Sequence, residues 1–382
     1  MSQKTAQLVV IGAGPGGYAA AFLAADLGMA VTIIDTEPNP GGVCLYRGCI
    51  PSKALLHVAK LLSEAKEAKN WGIEFADPKI NLNQLRSWKD SVVEKMTAGV
   101  GQLAKLRKIN YIRGRATFLN SSTLTIQKET GPQEELKFQY CVLATGSRPI
   151  SLPDLPVSEK ILNSTGALEL KDIPKTFLVV GGGYIGLELG TVYNQLGSAV
   201  TVVEMTSNLL SGVDRDLVQV LSKNIDKKFS AVFLNTKVIR MKETGSGIQV
   251  TLESNGKQTE KEFEKVLVAV GRKPNTTGLG LENTKVELDN KGFVKINLQR
   301  QTQEPHIYAI GDVAGEPMLA HKASHEGRVA VEAISGQKVA FEPKAIPAVV
   351  FTDPEIAWCG LTEIQAEKEN REIGRASCRE RV

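Results

Sequence analysis

The sequence predicts an α/β fold in which one βαβ unit occurs twice, with the second copy inserted in the chain of the first. Each copy reads as an apolar strand, a Gly-x-Gly-x-x-Gly turn and a helix. The turn glycines are Gly12, Gly14 and Gly17 and, 169 residues later, Gly181, Gly183 and Gly186. A second pair of apolar strands ends in glycine turns at Gly146 and, 125 residues later, at Gly271. Because such strands return to a parallel sheet, we expect the chain to leave the first domain near residue 150 and to re-enter it near residue 272.

The correspondence between the two copies extends past the glycine turns. Asp35 in the first copy corresponds to Glu204 in the second at the same offset, and Gly28 corresponds to Gly197. In such a unit the glycines let a pyrophosphate approach the backbone, and the helix N-terminus supplies N–H donors. A carboxylate about 20 residues later can accept hydrogen bonds from ribose hydroxyls. Two turns in register, each with its acidic residue, predict two Rossmann-like dinucleotide-binding domains.

The segments between these motifs carry clear periodicities. Residues 53–69 and 82–108 place apolar side chains three and four positions apart, which predicts helices. Residues 115–140 and 236–266 alternate apolar and polar side chains around Ser, Asn and Gly turns, which predicts antiparallel meanders.

Composition excludes several classes of partner. With 382 residues, 42% of them hydrophobic, the chain can bury the cores of two or three domains. Its net charge of +4 comes from mixed basic and acidic residues, so we expect no nucleic-acid partner. No apolar run is long enough for a bilayer, so we expect no membrane partner. Residues 7–12 already read as a strand, which leaves no room for a signal peptide and favours a cytoplasmic location. Cys141 and Cys359 stand in apolar contexts, where we expect small buried side chains.

Two further cysteines, Cys44 and Cys49, stand close together after the first glycine turn. In an ideal helix residues five apart rise about 7.5 Å, whereas bridged Cα atoms lie within roughly 7 Å of each other. A bridge therefore needs a distorted turn, for which Gly48 and Pro51 are suited. We interpret the pair as a redox-active disulfide. Two buried thiols or half of a zinc site are the alternatives, although no second Cys or His pair stands at ligand spacing nearby.

Together these motifs resemble those of the flavoprotein disulfide reductases. The resemblance runs from about residue 6 to residue 371 and rests on residues 12–17, 44–53, 144–146, 181–190, 310–312 and 318–322. Within the family, the sequence is most similar to members that oxidise dihydrolipoamide for 2-oxo acid dehydrogenase complexes. The resemblance implies that FAD binds the first copy and NAD the second. The implied domains are the first part of the FAD domain (1–150), the inserted NAD domain (151–271), the second part of the FAD domain (272–344) and the start of an α+β interface domain (345–371).

The resemblance assigns residues to FAD. These are Gly12, Gly14, Gly17, Asp35, Gly42, Lys53, Ala116, Thr145, Gly146, Asp312, Met318, Leu319, Ala320 and His321. It implies that Asp35 holds the adenosine ribose, where most relatives carry Glu, and that Asp312 holds the ribityl chain. It also implies that Lys53 lies near the flavin N5 and pairs with Glu188, which suits a partly buried lysine.

The residues assigned to NAD lie mainly in the second copy. They are Gly181, Gly183, Tyr184, Ile185, Gly186, Glu204, Val238, Ala269, Gly271 and Arg272. The resemblance suggests Tyr184 as a lid over the nicotinamide pocket. A carboxylate at Glu204 accepts hydrogen bonds from a 2′-hydroxyl and repels a 2′-phosphate, and residues 205–207 supply no arginine. We therefore expect NAD rather than NADPH.

The resemblance also implies a reaction. Dihydrolipoamide on the lipoyl domain of a 2-oxo acid dehydrogenase complex reduces the disulfide, and the electrons pass through FAD to NAD as hydride. Cys44 exchanges with the substrate and Cys49 faces the flavin, so the implied catalytic residues are Cys44, Cys49, Lys53 and Glu188, without a metal ion. A homodimer with a role in cell redox homeostasis is expected.

Thiol exchange also needs a base. In this family the base is a His in a His-Pro dipeptide on the interface domain. The four histidines here, His57, His306, His321 and His325, do not stand in such a dipeptide. Two alternatives follow: another NAD(P)H-dependent disulfide or mercuric reductase of the family, and a chain that binds FAD without turnover.

The last residues of the sequence, 372–382, lack apolar periodicity, and their back-translation resembles a common sequencing adaptor. We expect a sequencing artefact on a C-terminally truncated chain, in which Cys378 has no function; a genuine basic tail is the alternative.

Overall fold

The computed structural model describes residues 4–152 and 155–374, so Cys378 and most of the tail discussed above lie outside the described residues. The strands are β1 (Lys4–Ile11), β2 (Val31–Asp35), β3 (Asn110–Asn120), β4 (Thr123–Lys128), β5 (Glu134–Leu143), β6 (Ser147–Pro149), β7 (Ile161–Leu162), β8 (Thr176–Val180), β9 (Ala199–Val203), β10 (Ala231–Phe233), β11 (Thr236–Glu243), β12 (Ile248–Ser254), β13 (Lys257–Phe263), β14 (Lys265–Val268), β15 (Arg272–Pro274), β16 (Ile307–Ala309), β17 (Ala348–Val350) and β18 (Ile356–Trp358). The helices are α1 (Pro15–Asp26), α2 (Gly42–Arg47), α3 (Cys49–Glu67), α4 (Leu82–Leu106), α5 (Ser164–Glu169), α6 (Tyr184–Gln195), α7 (Arg215–Lys228), α8 (Ala320–Ile334) and α9 (Glu363–Lys368). Short 3-10 helices cover Ala68–Trp71, Leu281–Asn283 and Gly311–Val313.

The chain divides into two compact units. The first unit comprises Met1–Leu152, Leu162–Asp172 and Val270–Glu342. The second unit comprises Pro153–Ile161, Ile173–Ala269 and Pro343–Val382. The first unit therefore contains the first glycine turn and the cysteine pair, and the second unit contains the second glycine turn.

The sheet of the first unit has the strand order β1-β2-β3-β4-β5-β16, and β1 also pairs with β5. The five strands β1 to β5 therefore close into a ring. β1 is parallel to both β2 and β5, and β4 is antiparallel to β3 and β5. Both faces of β1 are buried: Val9 and Ile11 pack with Phe118 in one core, and Leu8 and Val10 belong to a second. A strand buried on both faces explains the continuous apolar run at the start of the sequence.

The sheet of the second unit contains the parallel strands β10-β9-β8-β14, next to an antiparallel meander β11-β12-β13. The predicted meanders at 115–140 and 236–266 are thus confirmed in β3 to β5 and in β11 to β13. The helices predicted at 53–69 and 82–108 are confirmed as α3 and α4.

The repeat inferred from the glycines is also present in the hydrogen bonds. The amide of Gly12 donates to the carbonyl of Ile34 at 2.9 Å, and the amide of Gly181 donates to the carbonyl of Val203 at 2.8 Å. Both partners are offset by 169 residues, so each glycine turn leaves its sheet beside the end of the neighbouring strand.

The described residues include no helix that is both long and apolar enough to cross a bilayer. In residues 4–152 and 155–374, no group of three or more His, Cys, Asp or Glu side chains could hold a metal ion. Cys141 is fully buried in β5, as predicted, whereas the prediction for Cys359 is wrong. Cys359 follows the short strand β18, which pairs only with β17 among the described strands, and its side chain is exposed.

Candidate functional site

The first glycine turn combines tight packing with an open edge. Gly12 has a φ of +98°, and a Cβ there would lie 2.3 Å from the carbonyl oxygen of Ala144. A Cβ at Gly17 would lie 2.0 Å from the carbonyl oxygen of Gly12, whereas one at Gly14 would meet no atom within 4 Å. Gly14 caps α1, and no side chain accepts from the N–H groups of the first turn of that helix. The turn therefore offers open space and backbone donors to a diphosphate, as FAD requires.

Asp35 holds this turn from the end of β2. One carboxylate oxygen, Oδ2, accepts from the amide of Ala13 at 2.6 Å, and Oδ1 accepts from the amide of Glu37 at 2.9 Å. Burial raises the pKa of Asp35, while the bonds from the backbone oppose that rise. The carboxylate thus lies beside the amides that would receive a nucleotide.

The second unit repeats this arrangement around Glu204. Oε2 of Glu204 accepts from the amide of Gly182 at 2.7 Å, and Oε1 accepts from the amide of Thr206 at 2.8 Å. A Cβ at Gly186 would lie 2.3 Å from the carbonyl oxygen of Gly181, and one at Gly183 would meet open space. The same fit to a dinucleotide follows for the second turn.

The cysteine segment contains the break that a close pair requires. Helix α2 ends at Arg47, α3 begins at Cys49, and Gly48 between them has φ −142° and ψ −111°. Cys44 is half-buried, Cys49 is exposed, and both carry thiols in this structure. A hydrogen bond with Cys49 raises the pKa of the Cys44 thiol, burial raises it further, and the charge of Lys53 opposes the rise. The two sulfur groups are therefore direct neighbours, in the dithiol form of the predicted pair.

The loop before the cysteines packs directly on the first glycine turn. The amide of Gly41 donates to the carbonyl of Ala13 at 2.8 Å. Gly42 has a φ of +56°, and a Cβ there would lie 2.5 Å from the α-carbon of Gly14. The dithiol pair is therefore anchored to the dinucleotide turn by backbone contacts.

Tyr18, on α1, is a neighbour of this pair that the sequence reasoning missed. Burial raises the pKa of Tyr18, and the proximity of Cys44 and Cys49 raises it further. Its position one residue after Gly17 places it on the first turn of α1, which was the available signal.

Asp312 lies in the 3-10 helix Gly311–Val313 of the first unit. Its Oδ2 accepts from the hydroxyl of Ser147 at 2.5 Å, and the amide of Gly311 donates to Glu326 at 2.7 Å. Helix α8, which follows, packs on α1 so closely that a Cβ at Gly327 would lie 2.7 Å from the carbonyl oxygen of Gly16. This packing brings Asp312 and the start of α8 to the same unit as the first glycine turn.

The remaining candidates divide between the two units. The first unit holds Gly12, Gly14, Gly17, Asp35, Gly42, Cys44, Cys49, Lys53, Ala116, Thr145, Gly146, Gly271, Arg272, Asp312, Met318, Leu319, Ala320 and His321. The second holds Gly181, Gly183, Tyr184, Ile185, Gly186, Glu188, Glu204, Val238 and Ala269.

Several of these side chains have defined surroundings. The side chain of Ala116 is buried in the core, so only its backbone could face a ligand. The hydroxyl of Thr145 donates to the carbonyl of Asn275 at 2.8 Å. The carboxylate of Glu188 is buried and accepts from the amide of Phe351 at 3.0 Å. Tyr184 is exposed, and the pairing of Lys53 with Glu188 and the lid role of Tyr184 stay predictions.

Comparison with known proteins agrees with this site. The sequence model described as "Pyridine nucleotide-disulphide oxidoreductase" matches residues 6–327, and that of the dimerisation domain of the same family matches residues 346–380. The dihydrolipoyl dehydrogenase of Haemophilus influenzae is 48% identical over 364 residues, which cover 95% of this chain and 76% of that protein. The dihydrolipoyl dehydrogenase of Bacillus subtilis is 43% identical over 366 residues, which cover 96% and 77%.

A solved structure is similar over the same length. The crystal structure of LpdA from Mycobacterium tuberculosis matches with a TM-score of 0.87 and 28% identity, covering 95% of this chain and 80% of that one. The family model spans both glycine turns and the cysteine pair, whose geometry is described above. The chain therefore belongs to the pyridine nucleotide-disulphide oxidoreductase family.

Proposed function

We propose that this chain oxidises dihydrolipoamide to lipoamide, with FAD as its bound cofactor and NAD as the electron acceptor. The observation that carries the proposal is the contact between Cys44 and Cys49, on a broken helix that is anchored to the first dinucleotide turn. The relatives named above, at 48% and 43% identity, are dihydrolipoyl dehydrogenases.

The reaction begins with exchange between two dithiol–disulfide couples. In the disulfide form of the pair, a substrate thiolate bonds to the sulfur of Cys44 as the bond from Cys44 to Cys49 breaks. The second substrate thiol then displaces Cys44, the substrate disulfide closes, and both cysteines are left reduced. Cys44 is assigned the exchange with substrate and Cys49 the side facing the flavin.

The proton chemistry follows from the environment of Cys44. The hydrogen bond with Cys49 and burial raise the pKa of Cys44, so its thiol is neutral near pH 7 in the reduced pair. Exchange through Cys44 therefore depends on a base that receives the proton of the incoming or outgoing thiol. Lys53, whose charge acts on Cys44, opposes the rise and favours the thiolate.

The cofactors are assigned from the two glycine turns. FAD, when bound, supplies two-electron transfer between the dithiol pair and the nicotinamide. In the first unit, the turn at Gly14, the carboxylate of Asp35 and that of Asp312 would hold FAD. In the second, the turn at Gly183 and the carboxylate of Glu204 would hold NAD.

The match to the dimerisation domain supports a homodimer. Within this proposal, the dithiol is presented by the lipoyl domain of a 2-oxo acid dehydrogenase complex. We also propose a cytoplasmic location, because a disulfide that cycles between two states operates in a reducing compartment.

The test is NAD reduction by dihydrolipoamide, measured as NADH absorbance with the FAD-loaded 382-residue chain. The Cys49→Ser variant should retain FAD and lose turnover, because no disulfide can form at Cys44. Cys359→Ser, which alters an exposed cysteine of the second unit, is the matched control and should keep full activity. Loss of FAD from Cys49→Ser would make the cysteine structural, and absence of turnover in the unaltered chain would favour FAD binding without catalysis.

Other reductases of the family are not favoured. The carboxylate of Glu204 opposes a 2′-phosphate, which argues against the NADPH-dependent glutathione and mercuric reductases. Replacement of dihydrolipoamide by glutathione in the same assay distinguishes these activities.

A further inference from the structure

A chain of three hydrogen-bonded side chains ends at Asp312. The hydroxyl of Ser147 donates to Oδ2 of Asp312 at 2.5 Å. The guanidinium of Arg272 donates to Ser147 twice, from Nε to the hydroxyl oxygen at 2.7 Å and from Nη2 to the carbonyl oxygen at 2.7 Å. Strands β6 and β15, which carry Ser147 and Arg272, pair as an antiparallel ribbon within the first unit.

The donor chemistry gives this chain one direction. A guanidinium can only donate, so the hydroxyl oxygen of Ser147 must accept from Arg272. The single proton of that hydroxyl is then committed to the carboxylate of Asp312, which as an anion can only accept. The side chain of Ser147 cannot turn to water instead, because the residue is 2% exposed.

We propose that Ser147 and Arg272 are positioning residues for FAD, which act by orienting the carboxylate of Asp312. This inference rests on the proposed role of Asp312 in holding the ribityl chain. With Oδ2 held by Ser147, the carboxylate is fixed in one rotamer and its other oxygen is oriented toward a ribityl hydroxyl. The ordering of this acceptor is complete before the cofactor arrives, which lowers the entropy lost on binding.

The same contacts reassign Arg272 from NAD to FAD. Arg272 was expected among the NAD residues, next to the glycine turn at Gly271. Its Nε and Nη2 are instead engaged with Ser147, and both Gly271 and Arg272 belong to the unit that contains Asp312. Ala269, two residues before Gly271, belongs to the second unit.

The test measures the Kd of FAD for apoprotein by quenching of flavin fluorescence, and the Kd of NAD for the FAD-loaded protein by calorimetry. Ser147→Ala and Arg272→Gln should each weaken FAD binding by about tenfold, the effect of losing a hydrogen bond to a charged group. The NAD Kd should stay within about twofold in both variants, since neither residue contacts NAD in this proposal. Arg148→Gln is the matched control and should leave the FAD Kd unchanged, because Arg148 bonds to Pro274 and Asn275 in the same ribbon and not to Asp312.

A double-mutant cycle separates positioning from general stability. In the Asp312→Ala background, Ser147→Ala should cause no further loss of FAD affinity, because its effect passes through the missing carboxylate. An additive loss there, or an equal loss in Arg148→Gln, would overturn the inference. So would a raised NAD Kd with unchanged FAD Kd in Arg272→Gln. If the unaltered chain binds no FAD, the proposed function fails first; if all variants bind FAD as the unaltered chain does, only this inference fails.

Discussion

The carboxylate of Glu326 is the position in the first unit where loss of one charge should affect stability most. Glu326 is fully buried in α8. Its Oε1 lies 3.1 Å from Nζ of Lys322 and 3.0 Å from Nη1 of Arg300, and its Oε2 accepts from the amide of Gly311 at 2.7 Å. Glu326→Gln keeps the shape of the side chain and an acceptor for Gly311, but it removes the only charge that these contacts place between the two cations.

The magnitude follows from what each cation retains. Removing one partner of a buried ion pair costs about 3–5 kcal/mol, because the other charge is left uncompensated. Lys322 keeps a hydrogen bond to the carbonyl of Gly315 at 3.0 Å, and Arg300 keeps its position over the ring of Phe341, 4.7 Å from the centroid. These contacts reduce the penalty, so we expect a loss of about 3 kcal/mol in the free energy of unfolding of the first unit.

The assay is urea unfolding of the FAD-loaded protein, followed by the fluorescence of released flavin as the signal of the first unit. Glu332→Gln is the matched control on the same helix, since its partner Arg328 lies 3.0 Å away with a side chain that is 67% exposed. An exposed pair of this kind contributes about 0–1 kcal/mol, so the control should unfold at nearly the parent midpoint. A loss below about 1 kcal/mol in Glu326→Gln, or equal losses in both variants, would refute the reasoning.

Two further predictions concern the cofactor preference and the thiol pair. Glu204→Arg should raise the ratio of kcat/KM for NADP over NAD by at least about tenfold, because it exchanges a repelling carboxylate for a cation that pairs with the 2′-phosphate. Steady-state kinetics with both nucleotides measures the ratio, and an unchanged NAD preference contradicts the assignment. In the reduced protein, alkylation of Cys44 by iodoacetamide should still rise about tenfold per pH unit above pH 9, where free cysteine levels off, because its pKa is raised by the hydrogen bond with Cys49. Peptide mapping by mass spectrometry follows the labelling, and a plateau below pH 9 would contradict the raised pKa.

The repeat was predictable from the sequence because it depends on glycine. A Cβ at Gly12 or Gly17 would collide with backbone atoms, so these positions tolerate no other residue and the pattern stays legible. The acidic residues that follow, Asp35 and Glu204, are equally legible because each bonds an amide of its own turn across 22 positions. The break at Gly48 was predictable for the same kind of reason, since two close cysteines need a distorted turn.

Contacts between distant segments were not predictable. Ser147 and Asp312 are 165 residues apart, and no periodicity relates a serine after one glycine turn to an aspartate after another. The closure of β1 to β5 into a ring depends on the pairing of β1 with β5, which apolar alternation does not specify. Cys359 was misjudged because its apolar neighbours suggested burial, while the strand before it pairs only with β17 among the described strands.

The difference between the two copies explains where the redox chemistry arises. Both have the same turn and the same carboxylate bonded to the second residue of that turn, Ala13 in one case and Gly182 in the other. After its second strand, the first copy continues into the loop at Gly41 and Gly42, which packs on the glycine turn and leads directly to the cysteine pair. The second copy continues instead through α7 into another strand of its own sheet, β10. Since the shared elements suffice to bind a dinucleotide, the loop and the broken helix after β2 are the added parts that make one of the two sites redox-active.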